Sequence, residues 1–117
     1  MNRVLVIEDD ADNADSLALL LRLAGHRVLV VRDGTMAVAA ARGFRPDVVL
    51  LDIALPGLDG YEVARRLRRE PGLEGTLVVA VSGYGQAQDK RRALEAGFDH
   101  HLTKPLDPDT LHALLAS

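Results

Sequence analysis

The sequence predicts a doubly wound (βα)5 fold, a parallel sheet with helices on both faces, and three observations point to it. Short β-branched runs recur along the chain, segments of helical periodicity separate them, and glycines and prolines stand where such helices would end. The first strand is Val4–Ile7, closed by the carboxylates of Glu8, Asp9 and Asp10. Leu17, Leu20, Leu21 and Ala24 then fall at i, i+3, i+4 and i+7, one face of a helix, with Gly25 placed as its C-cap. Val28–Val31 is the second strand, Gly43 stands as the cap of a second helix, and Val48–Leu51 is the third strand. Val63 and Leu67 share a face of the third helix, which Pro71 stops. Leu77–Val81 is the fourth strand, Gly97 ends a fourth helix, and His100–Thr103 is a weaker fifth strand. Asp107 and Pro108 read as N-cap and first-turn proline of a last helix striped by Leu111, Leu114 and Leu115. Strands alternating with helices imply parallel pairing with right-handed crossovers, and runs this apolar are expected to be buried on both faces.

Composition narrows the function classes. With 117 residues and 48% hydrophobic content, one compact domain is expected to span residues 1–117. The absence of cysteine removes disulfides and thiolate metal sites and fits a cytoplasmic setting. The apolar run that begins at Val4 is too short for a signal peptide's core, and no run approaches the roughly 20 residues of a membrane span, so no membrane insertion is expected. Seventeen acidic against fourteen basic residues and a pI near 5.7 argue against direct nucleic-acid binding.

In a sheet of this kind ligands bind beyond the carboxyl ends of the strands. Glu8 and Asp9 follow the first strand, Asp52 ends the third in "VVLLDIALPG", Ser82 follows the fourth in "VAVSGYG", and Lys104 follows the fifth in "HLTKPLD". Arg32-Asp33-Gly34 after the second strand offers nothing matching, as a strand at the sheet's edge would allow. Carboxylates gathered this closely need a cation, and oxygen donors without a thiolate suit Mg²⁺. Asp52 could then attack a phosphorus while Lys104 and Ser82 hold phosphoryl oxygens, which makes phosphoryl transfer to aspartate the reaction class.

"VLVIEDD", "DVVLLDIALPGLDGYEVARRLR", "VAVSGYG" and "AGFDHHLTKP", in this order, resemble the receiver domain of bacterial two-component response regulators over essentially the whole chain. The resemblance implies a flavodoxin-like sheet in strand order 2-1-3-4-5. It makes Asp52 the acceptor of a phosphoryl group from a phosphohistidine on a sensor histidine kinase or histidine phosphotransfer protein. Glu8 and Asp9 become the acidic pair, with Asp9 the more direct Mg²⁺ ligand, and Ala54 a ligand through its main-chain carbonyl. Ser82 becomes the switch hydroxyl, Lys104 the phosphate-contacting lysine, and Lys104-Pro105 the family's cis peptide. Two departures stand out: Glu8 replaces a more usual aspartate, and His101 stands where receivers often carry tyrosine or phenylalanine. His101 is therefore expected to act as a conformational relay, weaker than a larger aromatic ring would be. "GFDHHLTKPLDPDTLHALL" looks most like the receivers appended to hybrid sensor histidine kinases. A monomer or weak dimer is expected.

Other readings are weaker. A flavodoxin-like electron carrier would want a Ser/Thr/Gly-rich phosphate loop where "EDDADN" stands, and an Asp-nucleophile phosphatase a second aspartate where Ala54 stands. A receiver that serves only as a phosphorylation-independent docking module is opposed by the intact site. Asp10 and Asp12 read as helix N-terminal charges, Arg65, Arg66, Arg68 and Arg69 as a solvated basic face, and His100 and His101 as strand neighbours on opposite faces that cannot share a zinc ion. Leu19 and Leu23 lie off the core stripe of the first helix and are expected to dock a partner's helix.

Overall fold

The computed structural model describes residues 2–55, 59–83 and 90–116; residues 56–58 and 84–85, inside two of the quoted motifs, lie outside it. In chain order the elements are β1 (Arg3–Ile7), α1 (Ala11–Leu23), β2 (Arg27–Val31), a single 3-10 turn (Gly34–Met36), α2 (Ala37–Phe44), β3 (Val48–Asp52), α3 (Gly60–Arg69), β4 (Leu77–Ser82), α4 (Lys90–Ala96), β5 (His100–Thr103) and α5 (Pro108–Ala116). The strands form one parallel sheet in the order β2-β1-β3-β4-β5.

Period-two alternation divides the core. Leu5, Ile7, Val49, Leu51, Val78 and Ala80 pack against α2, α3 and α4 through residues such as Ala37, Ala41, Val63, Leu67 and Ala93. Val4, Val6, Val48, Leu50, Val79 and Val81 face the other way, onto Leu21 of α1 and Leu111 and Leu115 of α5. Burial on both faces holds for β1, β3 and β4 but not for the flanking strands: every residue of β2 and β5 is exposed or half-buried, with Leu29 exposed. An edge strand has a neighbour on one side only, so part of its surface meets water.

Helix ends follow local chemistry. Asp10 caps α1 by accepting from the Asn13 N–H at 3.0 Å, and Asp12 lies in the first turn, as their charges suggest. Asp107 caps α5 by accepting from the Asp109 N–H and the Thr110 hydroxyl. Gly25 and Gly97 adopt left-handed φ values of 94° and 98° after α1 and α4, the conformation that favours glycine at a helix end.

Three expectations change. Ala24 is the exposed C-cap residue of α1; the fully buried positions of that helix are Ala14, Ala18 and Leu21, with Leu17 and Leu20 half-buried. Gly43 lies inside α2, which runs on to Phe44 because the Arg3 guanidinium stacks 4.5 Å from the Phe44 ring and donates to its carbonyl; the left-handed residue there is Arg45. The basic face of α3 is not wholly solvated either. Arg65 and Arg66 pair with Glu62, but Arg68 donates to the carbonyls of Gly97 and Thr76 and pairs with Asp99, tying α3 to the strands below it.

Gly60 sets how closely α3 approaches the end of β3. A Cβ there would lie 2.5 Å from the Ile53 Cα, a backbone atom that cannot turn aside. Gly60→Ala is expected to lower stability by about 1–3 kcal/mol, read as a lower urea midpoint with an unchanged slope.

Candidate functional site

The carboxyl ends of β1, β3 and β4 and the residue after β5 converge. Alternation turns Asp52 to the α1–α5 side of the sheet, level with Val81 on β4, and the Glu8 N–H continues the ladder to the Val31 carbonyl. Glu8 and Asp52 are both buried, with 5% and 6% of their surface exposed, and Ser82 is wholly buried. The Lys104 Nζ lies 2.5 Å from Glu8 Oε1 and 3.0 Å from Asp52 Oδ2. Its backbone N–H donates to the Ser82 carbonyl at 2.7 Å, and the peptide to Pro105 is cis.

Each remaining carboxylate oxygen has a partner. Asp52 Oδ1 accepts from the Ala54 N–H at 2.9 Å, and Glu8 Oε2 from the Asp10 N–H at 3.5 Å. Burial pushes the Glu8 carboxyl up to about 7, and hydrogen bonding with Asp52 adds to the push against the pull of Lys104. Burial opposes ionisation of Asp52 too, but hydrogen bonds from Glu8, the Ala54 N–H and Lys104 outweigh it and hold that carboxyl below its usual range. Lys104 is raised: burial would lower it, but hydrogen bonds and charges of the two acids prevail. The result is an ionised Asp52 beside a Glu8 whose carboxyl is held well above its usual range.

Ligand oxygens of Glu8, Asp9 and Asp52 lie within 4.8 Å of one another. Three carboxylates at that spacing with no sulfur donor fit a hard divalent cation such as Mg²⁺. Ala54 is exposed beside them. A cavity of about 480 Å³ opens at Glu8, Asp52 and Lys104 and extends along Leu17, Leu20 and Leu106 between α1 and the β5–α5 connection.

Ser82 does not stand alone at its strand end: its Oγ lies 2.8 Å from the His101 Nε2. Sequence reasoning placed both residues and missed the bond, which depends on the pairing of β4 with β5. It also missed the Arg32 guanidinium, which donates to the Asp9 carbonyl, and a clasp between α3 and α4. In that clasp Arg92 bonds Asp59 at 2.7 Å and lies 4.1 Å from the Tyr61 ring. Leu19 and Leu23 project from α1 with 59% and 78% of their surface exposed. Among the described residues no helix is long and apolar enough to cross a membrane.

The model of the response regulator receiver domain matches residues 4–116. The DNA-binding dual master transcriptional regulator RpaA of Synechocystis sp. is 37% identical over 113 residues, 97% of this chain and 47% of that protein. The DNA-binding response regulator MtrA of Mycobacterium tuberculosis is 40% identical over 111 residues, 95% of this chain and 47% of its own length. Among solved structures, the receiver domain of the sensor histidine kinase PA1611 from Pseudomonas aeruginosa has a magnesium ion coordinated in its active site cleft. It superposes with a TM-score of 0.86 at 32% identity, covering 97% of this chain and 93% of that one.

The chain thus spans about half the length of the curated relatives it matches. The expectation that nucleic acid is not a direct partner is corrected here, because RpaA and MtrA are DNA-binding regulators. An acidic charge balance describes only the stretch over which it is counted, and these proteins are about twice as long.

Between the ordinary glutamate value of 4.5 and about 7, the folded Glu8 holds a proton that the unfolded chain has lost. Unfolding therefore becomes easier as pH rises through that window. The half-buried His26, whose imidazole burial pushes down, acts in the opposite sense. The measurement is the difference between two chains: without metal, the urea midpoint of wild type is expected to fall relative to Glu8→Gln from about pH 5 to about pH 8.

Proposed function

Because this chain belongs to the response regulator receiver domain family, a signalling module of two-component systems and not a free-standing enzyme, we propose that Asp52 is its phosphoacceptor and that the domain assists its own phosphorylation. The observation that carries this reading is the Lys104 ammonium set between Glu8 and an ionised, buried Asp52 at the sheet edge. An Asp52 carboxylate oxygen attacks the phosphorus of a phosphohistidine donor, the P–N bond breaks, and the imidazole leaves with the electron pair. The Ala54 N–H and Lys104 orient the attacking carboxylate, and Lys104 and the Ser82 hydroxyl supply donors for the phosphoryl oxygens. Glu8, Asp9, Asp52 and the Ala54 carbonyl would hold Mg²⁺, which when bound neutralises negative charge on the acids and the phosphoryl oxygens. A module that only docks, without phosphorylation, would have no use for this set of donors.

The setting of the domain is also a proposal. Relatives about twice as long that are DNA-binding regulators support a cytoplasmic protein in which this receiver controls a DNA-binding part. The likeness to the PA1611 receiver supports the second reading, a receiver of a hybrid sensor kinase. Flanking coding sequence separates them: a DNA-binding domain downstream sinks the hybrid reading, and a kinase core upstream sinks the other.

Acetyl phosphate or beryllofluoride with Mg²⁺ is expected to modify Asp52, and chelation of the metal to abolish the modification. Mass spectrometry of Asp52→Asn should show no stoichiometric aspartyl-phosphate; full labelling at another residue would overturn the assignment. The exposed Leu19 and Leu23 lie one turn apart on α1 and are proposed to dock the helices of the phosphodonor. Leu19→Ser with Leu23→Ser is expected to slow transfer from the cognate donor by about tenfold or more while leaving acetyl phosphate labelling unchanged. Equal transfer rates would rule that face out.

A further inference from the structure

One side chain of α4 grips the first turn of α3. The Arg92 guanidinium donates to Asp59 Oδ2 at 2.7 Å and lies over the Tyr61 ring, 4.1 Å from its centre. The other Asp59 oxygen accepts the Tyr61 N–H at 2.9 Å and so caps α3. Tyr61 is buried, and its ring meets Phe98, just beyond α4, edge-on at 6.0 Å. A half-exposed ion pair alone holds little, but a guanidinium that bonds a carboxylate and also stacks on a buried ring is fixed twice.

Between Asp59 and Tyr61 stands Gly60, whose absent Cβ would lie 2.5 Å from the Ile53 Cα and 3.1 Å from the Ile53 carbonyl oxygen. Ile53 separates Asp52 from Ala54. Its N–H is tied to the Val81 carbonyl, and its peptide with Ala54 directs the Ala54 N–H to Asp52 Oδ1. The first turn of α3 thus backs the peptide that orients the Asp52 carboxylate and leads into the Ala54 carbonyl.

We propose that Arg92 is a positioning residue for the metal site: by holding Asp59 and Tyr61 it keeps the first turn of α3 against Ile53, and with it the placement of the Asp52 carboxylate and the Ala54 carbonyl. The proposal rests on the reading of Glu8, Asp9, Asp52 and Ala54 as Mg²⁺ ligands. Mg²⁺ demands near-ideal octahedral geometry, so a small relaxation of that peptide weakens binding. The field of the guanidinium acts in the opposite sense, because removing a cation near an acidic site favours Mg²⁺. The sign of the effect therefore separates bracing from simple electrostatics.

The test is an amide NMR titration with MgCl₂ at fixed ionic strength, which reads the folded protein, on wild type, Arg92→Gln, Asp59→Asn and the double variant. Asparagine keeps a capping oxygen for the Tyr61 N–H while removing the charge that Arg92 binds. Arg92→Gln is expected to weaken Mg²⁺ binding about twofold to fivefold, the range that one partly exposed ion pair spans. In the Asp59→Asn background the same substitution is expected to change affinity by less than about twofold, because the coupling runs through that carboxylate. Unchanged or tighter binding in Arg92→Gln would overturn the proposal, as would an equal loss in both backgrounds; a merely structural role would lower the urea midpoint and leave the affinity alone. Arg92→Met, which keeps an apolar stem for the Tyr61 ring, carries the same comparison should the glutamine variant fail to fold.

A second readout needs no metal. Amide hydrogen exchange at Ala54 in the metal-free protein is expected to be about twofold to fivefold faster in Arg92→Gln than in wild type, as the bond to Asp52 loosens. Equal exchange rates would overturn the bracing. Equal Mg²⁺ affinity in wild type and Asp52→Asn would overturn the reading of the metal site and the proposal built on it, and the Ala54 exchange rate would still test the Arg92 clasp by itself.

Discussion

The Lys104 ammonium, 2.5 Å from Glu8 and 3.0 Å from Asp52, is what lets two carboxyl groups lie buried side by side at the end of an apolar sheet. Removing one partner from a buried charge cluster leaves the others uncompensated, at a cost of about 3–5 kcal/mol. The cluster limits that cost in two ways. One positive charge faces both acids, and Glu8 keeps a proton up to about pH 7, so the net charge withdrawn from water stays small. The same arrangement leaves Asp52 ionised and therefore nucleophilic.

Strand order supplies what chain proximity cannot. Lys104 is separated by 96 residues from Glu8 and by 52 from Asp52. It reaches them because β1 and β3 are neighbours in the middle of the sheet and the Lys104 N–H is fastened to the Ser82 carbonyl at the end of β4. The last donor to arrive is thus positioned by backbone bonding and not by its own flexible stem. Around the site, Gly60 admits the close approach of α3 to Ile53, and Arg68 binds the carbonyls of Gly97 and Thr76.

The strands and the gathering of Glu8, Asp9, Asp52 and Lys104 were legible because both obey local rules. An apolar run ending in a carboxylate is visible without any knowledge of its neighbours, and parallel topology then brings every such end to one edge. Four sorts of feature escaped. The Ser82–His101 bond depends on inter-strand register, which leaves no trace in either residue's surroundings along the chain. The contact face of α1 was read from its leucines and Ala24, whereas Ala14 and Ala18, too small to weigh in a hydrophobicity pattern, are buried beside Leu21. Gly43 looked like a cap by composition, but the Arg3 contacts to Phe44 carry the helix past it. A DNA connection was beyond the reach of charge counting, since nothing on one stretch of surface reports what other parts of a longer protein bind.

Alternation along the strands has a further consequence. Asp52 belongs to the face covered by α1 and α5, whereas Ser82, one step past Val81, belongs with Ala80 to the face covered by α2, α3 and α4. The sheet thus separates two layers of helices, and the Ser82 hydroxyl lies at its rim on the face opposite Asp52. Substitutions on either side can accumulate without disturbing the other as long as the rim stays intact. Packing on one face can therefore change while the opposite face keeps its contacts, and that freedom arises from nothing more than the two-residue repeat of a β-strand.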